Sequence, residues 1–364
     1  MRVAVLGGGG FIGNRTVEML HLGARAEVRP IVRRIAGMAL ASRFALDCRL
    51  ADARDDTALA RAFAGCEVVV HAVAGDSAVI LDSLAPTFHA ARRAGVRRIV
   101  YLSTASVHGQ APAPGTNEES PLRDDQPIEY NNAKVRAERR LGELRREGGV
   151  ELVILRPGIV LGPRSSWIGG FADALLAGEA CLVDRGRGVC NAIYVDNLVH
   201  AIELAATAAV DGEAFLVADA EQVTWADVYR PVAVALGVAL DDLPEAVVPD
   251  FDAGGSRVDA LRRSRAVRRL ARLLPKQVRS TLAAALGGTP HDVAADDRWM
   301  LPVRRPPVVT QEMAPLYRCA YKLPFAKATR MLGYRPIVSF AEASERTVAW
   351  LAFAGYRPRE ATTR

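Results

Sequence analysis

Short apolar runs alternate with segments of helical period through the first 155 residues. Val3 to Leu6 is apolar without helical period, the pattern of a buried parallel strand. Asn14 to Leu22 has helical spacing, and Glu27 to Arg34 is a second strand that its interior Pro30 should make short or irregular. Asp47 to Asp52 gives a third short strand. Asp55 to Ala64 is a helix capped by Asp55 or Asp56, and Glu67 to Ala74 a buried strand. Asp82 to Gly95 is a helix ending at glycine, Arg98 to Ser103 a strand, Tyr130 to Glu147 a long polar helix and Val150 to Leu155 a sixth strand. Such alternation predicts a parallel sheet covered on both faces.

Beyond Arg156-Pro157-Gly158 the regularity fades. Helices are predicted over Phe171 to Gly178, Val195 to Ala208, Ala326 to Leu332 and Phe340 to Ala354, and a strand over Ala214 to Ala218. Arg257 to Ala285 is basic and helical with a break at Pro275, and Gly287 to Pro307 is a Pro-, Gly- and Asp-rich loop. The expected fold is α/β: a Rossmann-like doubly wound parallel sheet over residues 1–160, to which part of 190–210 returns. A smaller α/β substrate domain is expected over 161–364.

Composition narrows the class without naming it. The 364 residues are half apolar and a quarter charged, and the net charge of +6 is spread, so nothing argues for a nucleic-acid partner. Five cysteines with no CxxC pair suggest reduced thiols in a cytoplasm, with no disulfide frame and no metal site. The first strand begins at once, so no signal peptide is read, and no apolar run reaches the roughly 18 residues of a membrane span.

The chemistry starts where the first strand ends. Four glycines, Gly7 to Gly10, lead through Phe11 and Ile12 to Gly13 and the first helix. Strand, glycine turn, helix is the arrangement that sets a pyrophosphate on free amides at a helix N-terminus. Gly7, Gly10 and Gly13 are the operative set, spaced GxxGxxG. About 20 residues past such a turn a carboxylate binds the ribose hydroxyls of NAD. Here Arg33 and Arg34 stand instead, and a guanidinium suits a 2′-phosphate. NADP(H) is therefore expected over NAD(H), unless the pair is only solvated surface. Asp52, ending the third strand, is placed either to accept from the adenine amino group or to serve a turn.

Tyr130 and Lys134 lie four apart at a helix start, on one face, and Thr104 follows the strand Arg98 to Ser103 at the sheet's carboxyl edge. A phenol titrates near 10, so service as a base requires a stabilised anion, and an ammonium about 4 Å away supplies several kcal/mol at an effective dielectric near 20. Lys134 would lower the phenol pKa and hold the cofactor ribose beside Tyr130. Thr104 would hydrogen-bond a substrate oxygen while Tyr130 moves a proton to or from it.

At these residues the sequence resembles the extended short-chain dehydrogenase/reductases, the epimerase/dehydratase-like group. The resemblance runs through Gly7 to Gly13, Val70-His71-Ala72-Val73-Ala74, Ser103 to Gly109, Tyr130-Asn131-Asn132-Ala133-Lys134, Leu155 to Pro163, Tyr194 to Leu198 and Lys327 to Pro336. It implies an NAD(P)-dependent enzyme with Thr104, Tyr130 and Lys134 as catalytic residues. It also implies that Phe11, Ile12, Ala72, Ala74, Pro157 and Gly158 lie along the cofactor, and that the chain forms a homodimer through helices flanking the sheet. The departures bear on substrate. Ala105 and Ser106 stand where sugar dehydratases of the family carry an Asp-Glu pair, Ile159 where epimerases have asparagine, and Cys190 where an arginine grips the diphosphate. Tyr194-Val195-Asp196-Asn197 is similar to the matching segment of 3β-hydroxysteroid dehydrogenases. His108 replaces a tyrosine and either touches substrate or packs a loop.

The first expectation is an NADP(H)-dependent oxidoreductase acting on a small-molecule secondary alcohol or ketone. The rivals are a nucleotide-sugar epimerase or reductase and a non-catalytic dinucleotide-binding regulator. Around Arg257 to Leu274, arginines flank an apolar stripe. Its plainer reading packs the stripe on the substrate domain, and the alternatives are a lid over an apolar pocket or an anionic membrane surface.

Overall fold

Seven strands form one parallel sheet: β1 (Arg2–Leu6), β2 (Glu27–Val32), β3 (Arg49–Leu50), β4 (Val68–His71), β5 (Arg98–Leu102), β6 (Glu151–Pro157) and β10 (Glu213–Val217). Their order is β10-β6-β5-β4-β1-β2-β3, and every adjacent pair is parallel. The order reverses between β1 and β4, which opens a crevice at the carboxyl ends of those two strands. The computed structural model describes residues 1–248 and 309–358. Met1–Glu245 with Glu312–Arg364 makes one unit and Ala246–Gln311 another, and the sheet belongs to the first.

The apolar runs lack alternation because both sheet faces are covered. Ala4, Leu6, Val69, Ile99, Tyr101, Leu152 and Ile154 enter one core, and Val3, Val5, Val68, Val70, Val100, Leu102, Val153 and Leu155 the other. Onto the first face pack α2 (Asp56–Phe63), α3 (Ser77–Asp82), α4 (Leu84–Arg93) and α5 (Glu129–Arg145). The second takes α1 (Phe11–Leu22), α7 (Val195–Thr207) and α10 (Ala326–Leu332). A third apolar cluster joins α6 (Ser166–Ala177), α8 (Trp225–Ala235) and α11 (Phe340–Phe353) with the short strands β8 (Val189–Cys190) and β11 (Val223–Thr224). Between the clusters run β7 (Ile159–Leu161) and β9 (Ala192–Tyr194), paired in parallel, and the expected boundary at 160 falls inside β7. A four-residue helix, α9 (Ala314–Tyr317), lies beyond.

Several expectations need correction. Pro30 does not disturb β2, because Ile31 carries the carbonyl that faces β1 and accepts from Gly7 and Gly8. The missing N–H of Pro30 therefore faces β3, which pairs only with Ile31 and Val32. β2 ends at Val32, so Arg33 and Arg34 lie beyond it, and the third strand shrinks to two residues. The helix expected over Asp82 to Gly95 is α4, and a further short helix, α3, capped by Asp76, precedes it. α6 starts at Ser166, five residues before the predicted Phe171, with Gly169 and Gly170 inside its first turns. α8 went unpredicted because Pro231 interrupts its pattern, although Thr224 and Asp227 form a capping box at its start. The basic segment from Arg257 and the loop from Gly287 lie outside the described residues.

Candidate functional site

The glycine turn is built by close approach. Gly7 has φ +89, and a Cβ there would meet the Ala72 carbonyl oxygen at 2.7 Å. A Cβ on Gly13 would meet the Gly7 carbonyl oxygen at 2.2 Å, so α1 and β1 close only on glycine. α1 has no side-chain cap and no acidic residue in its first turn, and Gly10 is its N-cap. That leaves the amides opening α1 to an anion, the fit that a dinucleotide diphosphate requires.

Beside this turn runs a cleft of about 400 Å³. Gly7, Gly10, Phe11, Ile12 and Gly13 line it at one end, and Arg33, Asp52, Ala72 and Ala74 continue the wall. Arg34 does not line it; it is exposed and precedes a short 3-10 turn at Ile35–Met38. A residue that the sequence reading missed, Arg54, shares the cleft. Its guanidinium meets both carboxylate oxygens of Asp52, Nε donating to Oδ1 at 3.0 Å and NH2 to Oδ2 at 2.9 Å. Hydrogen bonds from the Arg54 side chain hold the Asp52 carboxyl down at about 2, so it is an anion at any working pH. The signal was available two residues after Asp52, but nothing local says that the arginine turns back.

Thr104 opens the turn Ala105–His108, where its Oγ1 accepts from the Ser106 amide at 3.2 Å. Tyr130 and Lys134 lie in the first turns of α5. Lys134 Nζ is 5.9 Å from the Tyr130 ring centroid, donates to the Leu102 carbonyl at 2.7 Å and is 2% exposed. Burial pushes this ammonium down to about 8, still mostly charged at pH 7. Tyr130 keeps 41% of its surface open, yet desolvation around its phenol raises it above the ordinary value.

Behind this pair is a buried polar cluster. Glu138 accepts from Ser103 Oγ at 2.5 Å and from Arg156 NH2 at 2.6 Å. His108 Nε2 stands 3.2 Å from Arg156 NH1, and desolvation holds the imidazole near 4, so it is a neutral acceptor there. Its ring also lines a second cleft of about 320 Å³ with Thr116 and Gln126. Pro157 ends β6, and Gly158 packs against β9: a Cβ there would meet the Asn191 carbonyl oxygen at 1.9 Å. That contact by itself accounts for glycine at 158.

Asp196 ties the glycine helix to the rest of the molecule. It is 2% exposed and accepts from Arg15 at 2.6 and 2.8 Å and from Arg346 at 3.1 Å. Asn14, in the first turn of α1, accepts from Arg164, whose own backbone is left-handed at φ 71. Cys190 is buried among Trp225, Tyr229 and Val223, and burial raises its thiol far above the usual range. Among the described residues no cluster of His, Cys, Asp and Glu could hold a metal, and no helix is long and apolar enough to cross a membrane.

The chain is 34% identical over 233 residues to a 3-diazoavenalumate denitrifying reductase of Streptomyces sp, covering 59% of this chain and 73% of that one. It is 30% identical over 260 residues to a 3 beta-hydroxysteroid dehydrogenase/Delta 5-->4-isomerase of Mycobacterium tuberculosis, covering 65% and 70%. A UDP-glucose 4-epimerase of Mycolicibacterium smegmatis is 32% identical over 184 residues, and there the chain spans only 55% of the relative's length. Among solved structures, the UDP-glucose 4-epimerase of Thermus thermophilus in complex with NAD superposes with a TM-score of 0.68 at 24% identity, over 97% of this chain and all of that one. Residues 3–218 match the NAD dependent epimerase/dehydratase family, and with the seven-stranded sheet and its glycine turn this makes the chain an NAD(P)-dependent enzyme of that family, of the extended short-chain dehydrogenase type.

Proposed function

We propose that the chain is an NADP(H)-dependent oxidoreductase that moves a hydride between nicotinamide and the carbon of a secondary alcohol or ketone. The observation that carries this reading is Lys134, an ammonium buried on the same helix face as the Tyr130 phenol. A charge buried without an adjacent counter-ion is expensive, and sites of chemistry are where such expense recurs.

The amides of Phe11, Ile12 and Gly13 would hold the diphosphate, Arg33 the 2′-phosphate and Asp52 the adenine amino group. Ala72, Ala74, Pro157 and Gly158 would flank the rest. When bound, the nicotinamide supplies or takes the hydride. In the free protein the raised phenol of Tyr130 keeps its proton, which suits donation to a ketone oxygen. For the reverse reaction Lys134 stabilises the phenolate, as does the charge of an oxidised nicotinamide. Thr104 accepts from an amide and has its own hydroxyl proton to give the same substrate oxygen.

An apolar substrate is supported by Cys190, which offers no charge where a diphosphate would need one. The hydroxysteroid dehydrogenase relative agrees with it. The second reading, a nucleotide-sugar epimerase, is favoured by the UDP-glucose 4-epimerase relative.

Thermal-shift titration with NADPH, NADH, UDP-glucose and a panel of apolar ketones separates them. A ligand at 100 times its Kd stabilises the fold by about 2.7 kcal/mol. NADPH should do so at lower concentration than NADH, a preference lost in Arg33→Ala, and ketones should add stability only with cofactor. Tyr130→Phe should bind NADPH unchanged and turn over no ketone. Equal response to both cofactors would remove the NADP(H) preference, and stabilisation by UDP-glucose would move the reading to epimerase.

A further inference from the structure

Lys134 has a second phenol. Tyr101, in β5, is fully buried, and its side chain lies on the sheet face that α5 covers. Lys134 Nζ donates to Tyr101 Oη at 3.3 Å, besides its 2.7 Å bond to the Leu102 carbonyl, and lies 4.8 Å from the Tyr101 ring centroid. An ammonium has three N–H donors. Two are therefore spent on neighbouring residues of one strand, and they aim the third.

Of the other groups around this ammonium, Glu138 alone favours its charge. His71, from β4, packs its ring 5.2 Å from that of Tyr101 and is held neutral, near 3, by burial and by Lys134 itself. Glu138, on α5, is the carboxylate that favours the ammonium, but its oxygens already serve Ser103 and Arg156, the latter from β6. Tyr130, on the same helix, keeps its proton. Burial raises the Tyr101 phenol far out of the working range, so it stays a neutral acceptor.

We propose that Tyr101 is a positioning residue: its hydroxyl holds the Lys134 side chain in place and keeps its proton on, so that an ammonium faces Tyr130. This rests on the reading of Tyr130 and Lys134 as the reacting pair. A hydrogen bond to the charged form favours that form, so losing the hydroxyl must make Lys134 easier to deprotonate. With Lys134 already lowered to about 8, a further fall leaves much of the enzyme without its ammonium at neutral pH.

The test reads Lys134 directly. The chain has four lysines, Lys134, Lys276, Lys322 and Lys327, so 13C-lysine labelling gives a simple NMR spectrum in which Lys134→Met identifies the signal. In Tyr101→Phe, which removes one oxygen and keeps the ring, the Lys134 midpoint should fall by roughly one pH unit. The alkaline limb of ketone reduction should move down with it. A purely structural role would lower the melting temperature and leave the midpoint in place. An unmoved midpoint overturns the proposal. Full turnover by Tyr130→Phe or Lys134→Met would instead overturn the reacting pair, a separate failure. If Tyr101→Phe does not fold, Tyr101→Met serves, because it fills the site without an acceptor oxygen.

Discussion

Lys134 is a single residue on which function and stability pull apart. Its ordinary value of 10.5 is brought to about 8 by burial, so the unfolded chain binds that proton more tightly than the folded one. The penalty is full below pH 8, shrinks as pH rises, and is gone above 10.5. A gap of this size is worth about 3 kcal/mol. Lys134→Met should thus melt higher than wild type at pH 7, with the difference narrowing as pH approaches 10.5; calorimetry at both pH values checks it. A variant that melts lower at pH 7 would mean that the lost bonds to Leu102 and Tyr101 outweigh the relieved charge. Much of the site was legible at this scale. Gly7, Gly10 and Gly13 sit on one local turn, and Tyr130 and Lys134 on one helix face, so spacing alone places them. Arg54 and Tyr101 were not legible. Arg54 folds back onto Asp52 within one local turn, which residue type alone does not reveal, and Tyr101 meets Lys134 across the sheet–helix interface, which only tertiary packing decides.

Between elements, the constraint to test is Gly158. The chain passes from β6 into β7 with Ile159 donating to the Asn191 carbonyl at 2.7 Å, and that same oxygen would lie 1.9 Å from a Cβ on residue 158. Both partners are backbone, so no rotamer change relieves the clash. Gly158→Ala should lower the melting temperature by several degrees, by pushing β7 from β9. Gly10→Ala, whose Cβ would meet only the Gly7 oxygen at 3.3 Å, should melt nearly as wild type. Comparable melting of the two would show that the turn gives way without cost. The elements most visible in the sequence were those whose period was clean: β1, β4, β5, α7 and α10 fall within a few residues of their predicted spans. α8 was lost to Pro231 and the start of α6 to Gly169 and Gly170, residues that weaken a helical signal while packing still holds the helix. In the Tyr194-Val195-Asp196-Asn197 segment the motif was visible but its purpose was not. Asp196 joins α1 to α11 through Arg15 and Arg346, and Asn197 grips Asp219 and the backbone at Ile337 and Val338.

For the molecule as a whole, the question is which class of substrate the fold admits, and Cys190 is where that can be decided. Relatives that hold a diphosphate are expected to carry arginine at this place. The conservative engineering idea, Cys190→Arg, would then turn this protein toward nucleotide sugars. The packing predicts otherwise. Cys190 is 3% exposed, pairs through β8 with Val223 of β11, and sits in the cluster of Trp225, Tyr229 and Val228. Trp225 and Tyr229 stand 5.5 Å apart, Trp225 and Tyr317 4.7 Å, and Phe171 stacks on Tyr229 at 3.8 Å, so the surroundings are aromatic and closed. Asp219, the carboxylate within electrostatic reach of Cys190, is itself buried and already accepts from Asn197 and the Tyr194 amide. Taking a guanidinium out of water here costs several kcal/mol even when it is paired. Cys190→Arg should therefore lose much of its stability and gain no UDP-glucose affinity, whereas Cys190→Ser should keep the fold and its NADPH binding. A stable Cys190→Arg protein that binds UDP-glucose would mean that position 190 can face the substrate, and that its cysteine, not the fold around it, is what excludes the diphosphate.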